Sequence, residues 1–229
     1  MELDFPYSIV RSQRKTAAIH VTPKGVQVRI PYQVTDAFAL SFLKNKQSWV
    51  KQKLGQQSQQ LAKVPKLALG ESILWYGEEK KLVYQQGNRK HVFLQSDLII
   101  VEGPQEPDAQ QLNNQLEAFF KNQAKLVLPA LTRHVATKLK LDDRLSQIRF
   151  RRTKSKWGHC TNKGVIQFNW LILGAPEDVI YYLVCHEVSH LKHHNHGRDF
   201  WNLVNSICPH VKASEAWLKE NGIGLDWVA

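Results

Sequence analysis

Cysteine is scarce in this chain. The three present, Cys160, Cys185 and Cys208, include no C-x-x-C pair, which argues against a disulfide framework and against a cysteine-built zinc ribbon. Long apolar runs are missing as well. The longest candidate, Val179 to Cys185, has seven residues, whereas a membrane helix needs ~20. The amino-terminal MELDFPYSIV has no basic region followed by an apolar stretch, so no secretory signal is expected. A reducing cytoplasm is the simplest home for such a chain, with no membrane partner. There is no G-x-x-x-x-G-K-[ST] loop and no carboxylate cluster of the kind Mg²⁺ prefers. No internal repeat is visible.

The composition is ordinary for a globular protein: 229 residues, 43% hydrophobic and 22% charged. That length supports one large domain or two small ones. The net charge of +11 is unevenly spread. Residues 1–101 hold 15 Lys/Arg against 7 Asp/Glu, and residues 102–229 hold 16 against 13. Ala37 to Gly70 and Arg144 to Pro176 contain no acid at all. The second stretch clusters Arg149, Arg151, Arg152, Lys154 and Lys156. Such a patch attracts polyanions by steering and counterion release, so nucleic acid or a nucleotide is a candidate partner.

Periodicity predicts an α+β fold. Tyr7–Val10, Ala17–Val21 and Val26–Ile30 are β-prone, and Pro23-Lys24-Gly25 is a turn signal between the last two. Phe38, Phe42, Trp49, Val50 and Leu54 predict one helix from near Ala37 to Gln60. Four short strands come next, at 73–76, 81–85, 91–94 and 98–101, and are expected to form a small antiparallel sheet. The acidic Pro/Gly segment Glu102 to Asp108 marks the expected domain boundary. It separates a basic, β-rich domain (1–103) with one helix from a second domain (104–229). Asp108 is placed to cap a helix that Pro129 should kink or restart before Leu139. Ile148–Arg152 and Val165–Asn169 predict a strand pair. Pro176, Glu177 and Asp178 open the next helix.

That helix carries the sharpest signal, His186-Glu187-Val188-Ser189-His190. Histidines four apart project from one helix face, ~6 Å apart along the axis. Two imidazoles so spaced can grip one Zn²⁺ at ~2.0–2.1 Å each. Glu187 is then placed to flank a water at the metal without ligating it. Chance placement of 10 His and 11 Glu in 229 residues yields only about 0.02 copies of H-E-x-x-H. A catalytic zinc also needs a third protein ligand and one open position. His193 would lie ~10 Å beyond His186 on a continued helix, too far to close a tetrahedron. His194 is four residues from His190 and offers only a rival pair. His196 lies beside Gly197, where the chain can turn back, and is the expected third ligand. Asp199 is either an imidazole-orienting carboxylate or an ordinary first-turn acid. Phe200 and Trp201 are expected to pack behind the third ligand. Tyr181 and Tyr182 are compatible with oxyanion donation or with helix packing. His159 and His210 are open between cleft and surface.

HEVSHLKHHNHGRDFW, preceded by KWGHC, GVIQFNW and APEDVIYYLVC, resembles the YgjP-like metallopeptidase domain, a family related to SprT-like and WLM-type zinc peptidases. RSQRKTAAIHVTPKGVQVRIP and the segment to Trp49 resemble the amino-terminal part of the same family. The resemblance implies a zincin-like helical and β-sheet core in which His186, His190 and His196 hold Zn²⁺ and Glu187 is catalytic. It also implies extended peptide added to an edge strand, with Arg149–Arg152 and Val165–Asn169 as candidates. Two departures stand out. The family usually reads W-G-S-C where this chain has Trp157-Gly158-His159-Cys160, and Ser where it has Gly197. The resulting expectation is a zinc-dependent hydrolase, foremost a metallopeptidase with a protein or peptide substrate, acting near nucleic acid. Its alternatives are a nucleoside triphosphate pyrophosphatase, an idea also attached to the family, and a nucleic-acid-binding module with a structural zinc. Oligomeric state is not legible.

Overall fold

Val26, Val28 and Ile30 alternate along β3 (Gly25–Pro31), and all three are buried, as one face of a pleated strand requires. In the computed structural model, which describes residues 3–22, 25–61, 64–153 and 155–227, β3 is the middle strand of three. β1 (Tyr7–Ser12) pairs with it in parallel and β2 (Ala18–Thr22) antiparallel. The expected hairpin is thus β2–β3, although Pro23 and Lys24 of its turn lie outside the described residues. The single helix expected next is two: α1 (Asp36–Asn45) and α2 (Gln47–Leu61). Thr35 caps α1 by accepting from the Phe38 N–H at 3.3 Å. At Lys46 the backbone leaves helical geometry (φ −109°, ψ 12°). The break lets Ala39 and Leu43 of α1 and Val50 of α2 join the same core as β3.

The chain divides into two compact units, Met1–Lys63 and Val64–Ala229. The division comes earlier than the expected 103/104 boundary because the second sheet shares its core with the long helix after it. That sheet contains β4 (Ser72–Trp75), β5 (Glu78–Gln86), β6 (His91–Gln95) and β7 (Leu98–Gly103), in the order β4-β5-β7-β6. Ile73, Leu82, Ile99 and Val101 pack in one cluster with Leu112, Leu116 and Phe120 of α3 (Ala109–Lys138). A cut at 103/104 would split that core.

The antiparallel expectation is also corrected, because β5 and β7 pair in parallel. β7 inserts between β5 and β6, and as a strand paired on both edges it carries the continuous buried run Ile99–Ile100–Val101.

Asp108 and Gln111 form a capping box at the start of α3. The helix passes through Pro129 without a break. Only the Lys125 carbonyl loses its donor there, and Lys125 is exposed to water, while Leu128, Thr132 and Val135 continue the buried stripe. A third sheet has the order β8-β10-β9, from β8 (Gln147–Phe150), β9 (Gly158–Cys160) and β10 (Val165–Phe168). The predicted strand pair is β8–β10, which is parallel, and β9 adds antiparallel to β10. A fully buried turn, Trp170–Gly174, leads into α4 (Glu177–Ser189), α5 (Arg198–Ile207) and α6 (Val211–Asn221). The fold is α+β. No described helix is long and apolar enough to cross a membrane.

Candidate metal centre

α4 buries Val179, Ile180, Leu183, Val184 and Val188. Its period leaves His186 only partly covered at the end of the helix. The helix stops at Ser189, and His190 is its C-cap residue. His193 therefore is not carried onward by helical geometry. Residues 191–197 turn the chain back before α5 begins at Arg198, and the turn returns His196 to His186. Their Nε2 atoms are 3.1 Å apart, near the ~3.3 Å that separates two nitrogens of a tetrahedron with ~2.05 Å bonds. One ligand atom from each of His186, His190 and His196 lies within 4.8 Å of the others. His193, His194, His159 and His210 are not in that group.

Hydrogen-bond partners assign the tautomers. His190 Nδ1 is 3.0 Å from the His193 carbonyl, which can only accept, so Nδ1 carries the proton and Nε2 keeps a lone pair. His186 Nδ1 lies 3.4 Å from the Tyr182 hydroxyl, which itself donates to Glu215 Oε1 at 3.1 Å. The Phe200 ring, fully buried, sits 4.9, 4.5 and 4.8 Å from the ring centres of His186, His190 and His196. Trp201 lies 5.9 Å from the rings of His186 and His196. Phe200 thus packs against all three imidazoles, and Trp201 against two of them.

Burial holds His186 neutral, pushing its pKa down to about 3 with help from the neighbouring His190 and His196. His190 is lowered too, by burial first, with its bond to the His193 carbonyl opposing. Glu187 is only 4% exposed. Burial pushes its carboxyl up to about 8, and the Lys156 charge partly opposes. Its Oε2 is buried with no hydrogen-bond partner among the described residues. Gly158 of β9 lies against this side chain: a Cβ there would fall 2.3 Å from Glu187 Oε1. Three converging imidazoles and one buried carboxylate oxygen without a partner among the described residues fit a divalent cation with an open position.

Tyr181 donates to the Ile207 carbonyl at 3.3 Å, and Tyr182 is committed to Glu215, so neither hydroxyl is free to serve an oxyanion. Asp199 is exposed in the first turn of α5, the ordinary place for a helix acid. His159 is exposed on β9 and His210 exposed just before α6. Within the basic patch, Arg149, Arg151 and Lys156 are exposed. Arg152 is held by Asp226 at 2.8 Å, and Lys154 lies outside the described residues. The Gly158 contact and the Tyr182–Glu215 bond are not visible in the sequence. The only sequence signal for the former is the glycine next to Trp157.

A family model described as YgjP-like, metallopeptidase domain, matches residues 15–221. The chain belongs to the YgjP-like metallopeptidase family. The YgjP-like match spans parts of both compact units, as the resemblance of the amino-terminal segment implied. Membership makes the protein a metal-dependent peptidase by family, hence a hydrolase, and the His186–His190–His196 cluster is a possible site for the metal. The YgjP-like chain is also similar to the solved metallopeptidase zymogen abylysin from Pyrococcus abyssi. That match has 24% identity, covers 41% of this chain and 94% of the other, and has a TM-score of 0.38. No curated protein sequence matches the YgjP-like chain.

Proposed function

We propose that this YgjP-like protein is a zinc peptidase with a zincin-like centre, in which His186, His190 and His196 hold the ion and Glu187 is the general base. One observation carries the reading: the buried, unpartnered carboxylate oxygen of Glu187 one residue from His186, within a cluster of three imidazoles. When bound, the metal acidifies water and polarises the scissile carbonyl. His186 and His190 present Nε2 because their Nδ1 protons are already engaged. Glu187 takes the proton of the attacking water on its free carboxylate oxygen and delivers it to the leaving nitrogen.

Of the two candidate substrate strands, Val165–Asn169 contains β10, which is paired on both sides. The sheet edges are β8 and β9. We assign extended peptide to β9, since Gly158 there touches Glu187 and strand addition would run the substrate past the carboxylate. The phosphoanhydride reading and the structural-zinc reading gain no comparable support. Arg152 of the basic patch is already paired with Asp226, and three imidazoles leave a fourth position open.

The test compares wild type with Glu187→Gln for zinc content and for turnover of casein and of nucleoside triphosphates. The variant should retain zinc and lose about 10²–10⁴-fold in casein turnover. Unchanged activity in the variant, or turnover of triphosphate alone, refutes the proposal.

A further inference from the structure

Behind the imidazole cluster, on the side away from its Nε2 atoms, Tyr182 stands one helical turn before His186 on the same face of α4. It is a large polar side chain that is only 5% exposed. Its hydroxyl has one proton and two neighbours. One is Glu215 Oε1 on α6 at 3.1 Å, and the other is His186 Nδ1 at 3.4 Å. An ionised carboxylate can only accept, so the phenol proton points to Glu215. The phenol oxygen then has only lone pairs to offer His186, and Nδ1 must bring the hydrogen. The order of atoms is therefore fixed as Glu215 carboxylate, Tyr182 O–H, His186 Nδ1–H. The opposite imidazole tautomer would set two lone pairs against each other.

We propose that Tyr182 and Glu215 are positioning residues that lock His186 in the Nδ1–H tautomer and strengthen Nε2 as a metal ligand. The relay rests on the reading of His186 as a ligand. Negative charge on Glu215 polarises the phenol, and the polarised phenol draws the Nδ1 proton, so electron density builds at Nε2. α6 also approaches α4 elsewhere: buried Ser214 donates to the Asp178 carbonyl at 3.3 Å. The relay is thus mounted on a second, independent contact between the same two helices. Tyr181 supplies an internal control. It is the adjacent tyrosine, but its hydroxyl donates to the Ile207 carbonyl and not toward a ligand.

The experiment measures zinc affinity by chelator competition in wild type, Tyr182→Phe, Glu215→Gln and Tyr181→Phe. It also reads the His186 tautomer in the zinc-free proteins by ¹⁵N NMR. Tyr182→Phe should weaken zinc binding by about 10–100-fold and turn His186 into a mixture of tautomers. Glu215→Gln, a change at an exposed position that leaves an amide oxygen to accept the phenol proton, should weaken binding less and keep the tautomer. Tyr181→Phe should match wild type in both readouts. Wild-type affinity and tautomer in Tyr182→Phe overturn the relay, as does an equal loss in Tyr181→Phe, which would indicate general packing. Should Tyr182→Phe not fold, unaltered affinity in Glu215→Gln overturns it instead. If wild type itself binds no zinc, the metal reading fails separately, and the tautomer measurement still decides the relay.

Discussion

Adding one methyl group at Gly158 is the most discriminating perturbation this protein offers. The alanine Cβ would lie 2.3 Å from Glu187 Oε1 and 2.5 Å from its Cγ and Cδ. Ordinary contact needs about 3.3 Å between such atoms, so the Glu187 side chain must retreat by about 1 Å. It cannot swing into solvent cheaply, because only 4% of it is exposed, and overpacking of this kind costs about 1–3 kcal/mol of stability. A displacement of ~1 Å in a group that must meet a proton in flight costs on the order of 10²-fold in rate. That corresponds to ~2.7 kcal/mol of lost transition-state stabilisation. The three atoms nearest the methyl group all belong to Glu187, so zinc content should not change. The assay is kcat for casein hydrolysis beside zinc stoichiometry and a thermal unfolding curve. The expected result for Gly158→Ala is a folded, fully loaded protein about 100-fold slower. Full activity at full zinc occupancy would refute the claim that β9 fixes the carboxylate, and loss of zinc would refute the separation of the two functions.

The same geometry sets other outcomes. His196→Ala should abolish stoichiometric zinc binding, whereas His194→Ala should leave it intact; metal analysis after dialysis decides between them. Phe200→Ala, which empties a fully buried site beneath three rings, should cost about 3–5 kcal/mol in urea unfolding and weaken zinc binding. In the zinc-free protein, the Glu187 carboxyl is pushed up to about 8 by burial, so folding favours its protonated form. The stability it contributes is fully present below the unfolded value near 4.5 and is lost as pH rises through about 8. Urea unfolding in a chelator should therefore show wild type falling relative to Glu187→Gln between those limits. His186 acts in the opposite direction. With its folded pKa pushed down to about 3, its contribution is present above the unfolded value near 6.5 and is lost as pH falls.

The three-histidine cluster was legible because it depends on short spacing. His186 and His190 share a helix face by periodicity alone, and His196 sits beside a glycine that lets the chain return. The capping box of Asp108 and Gln111 was half visible for the same reason, since its partners are three residues apart. What was hidden depends on distant partners. β9 has three residues, too few to show alternation, and it becomes a strand only through β10. Gly158 enters the candidate site solely because α4 brings Glu187 against it. The parallel pairing of β5 with β7 places strands together that the chain order does not, and the break at Lys46 comes from packing two helical segments on one sheet. The acidic Pro/Gly segment at 102–108 resembled a linker in composition, yet the strands before it and the helix after it bury their side chains together.

Phe200 has a consequence that extends beyond support of the rings. A single fully buried ring touches all three imidazoles, so the tilt of each is tied to the tilt of the other two. A substitution that displaces one imidazole would therefore be felt by the other two through Phe200, even where it touches neither of them. The three histidines then behave as one packed unit and not as three separate side chains.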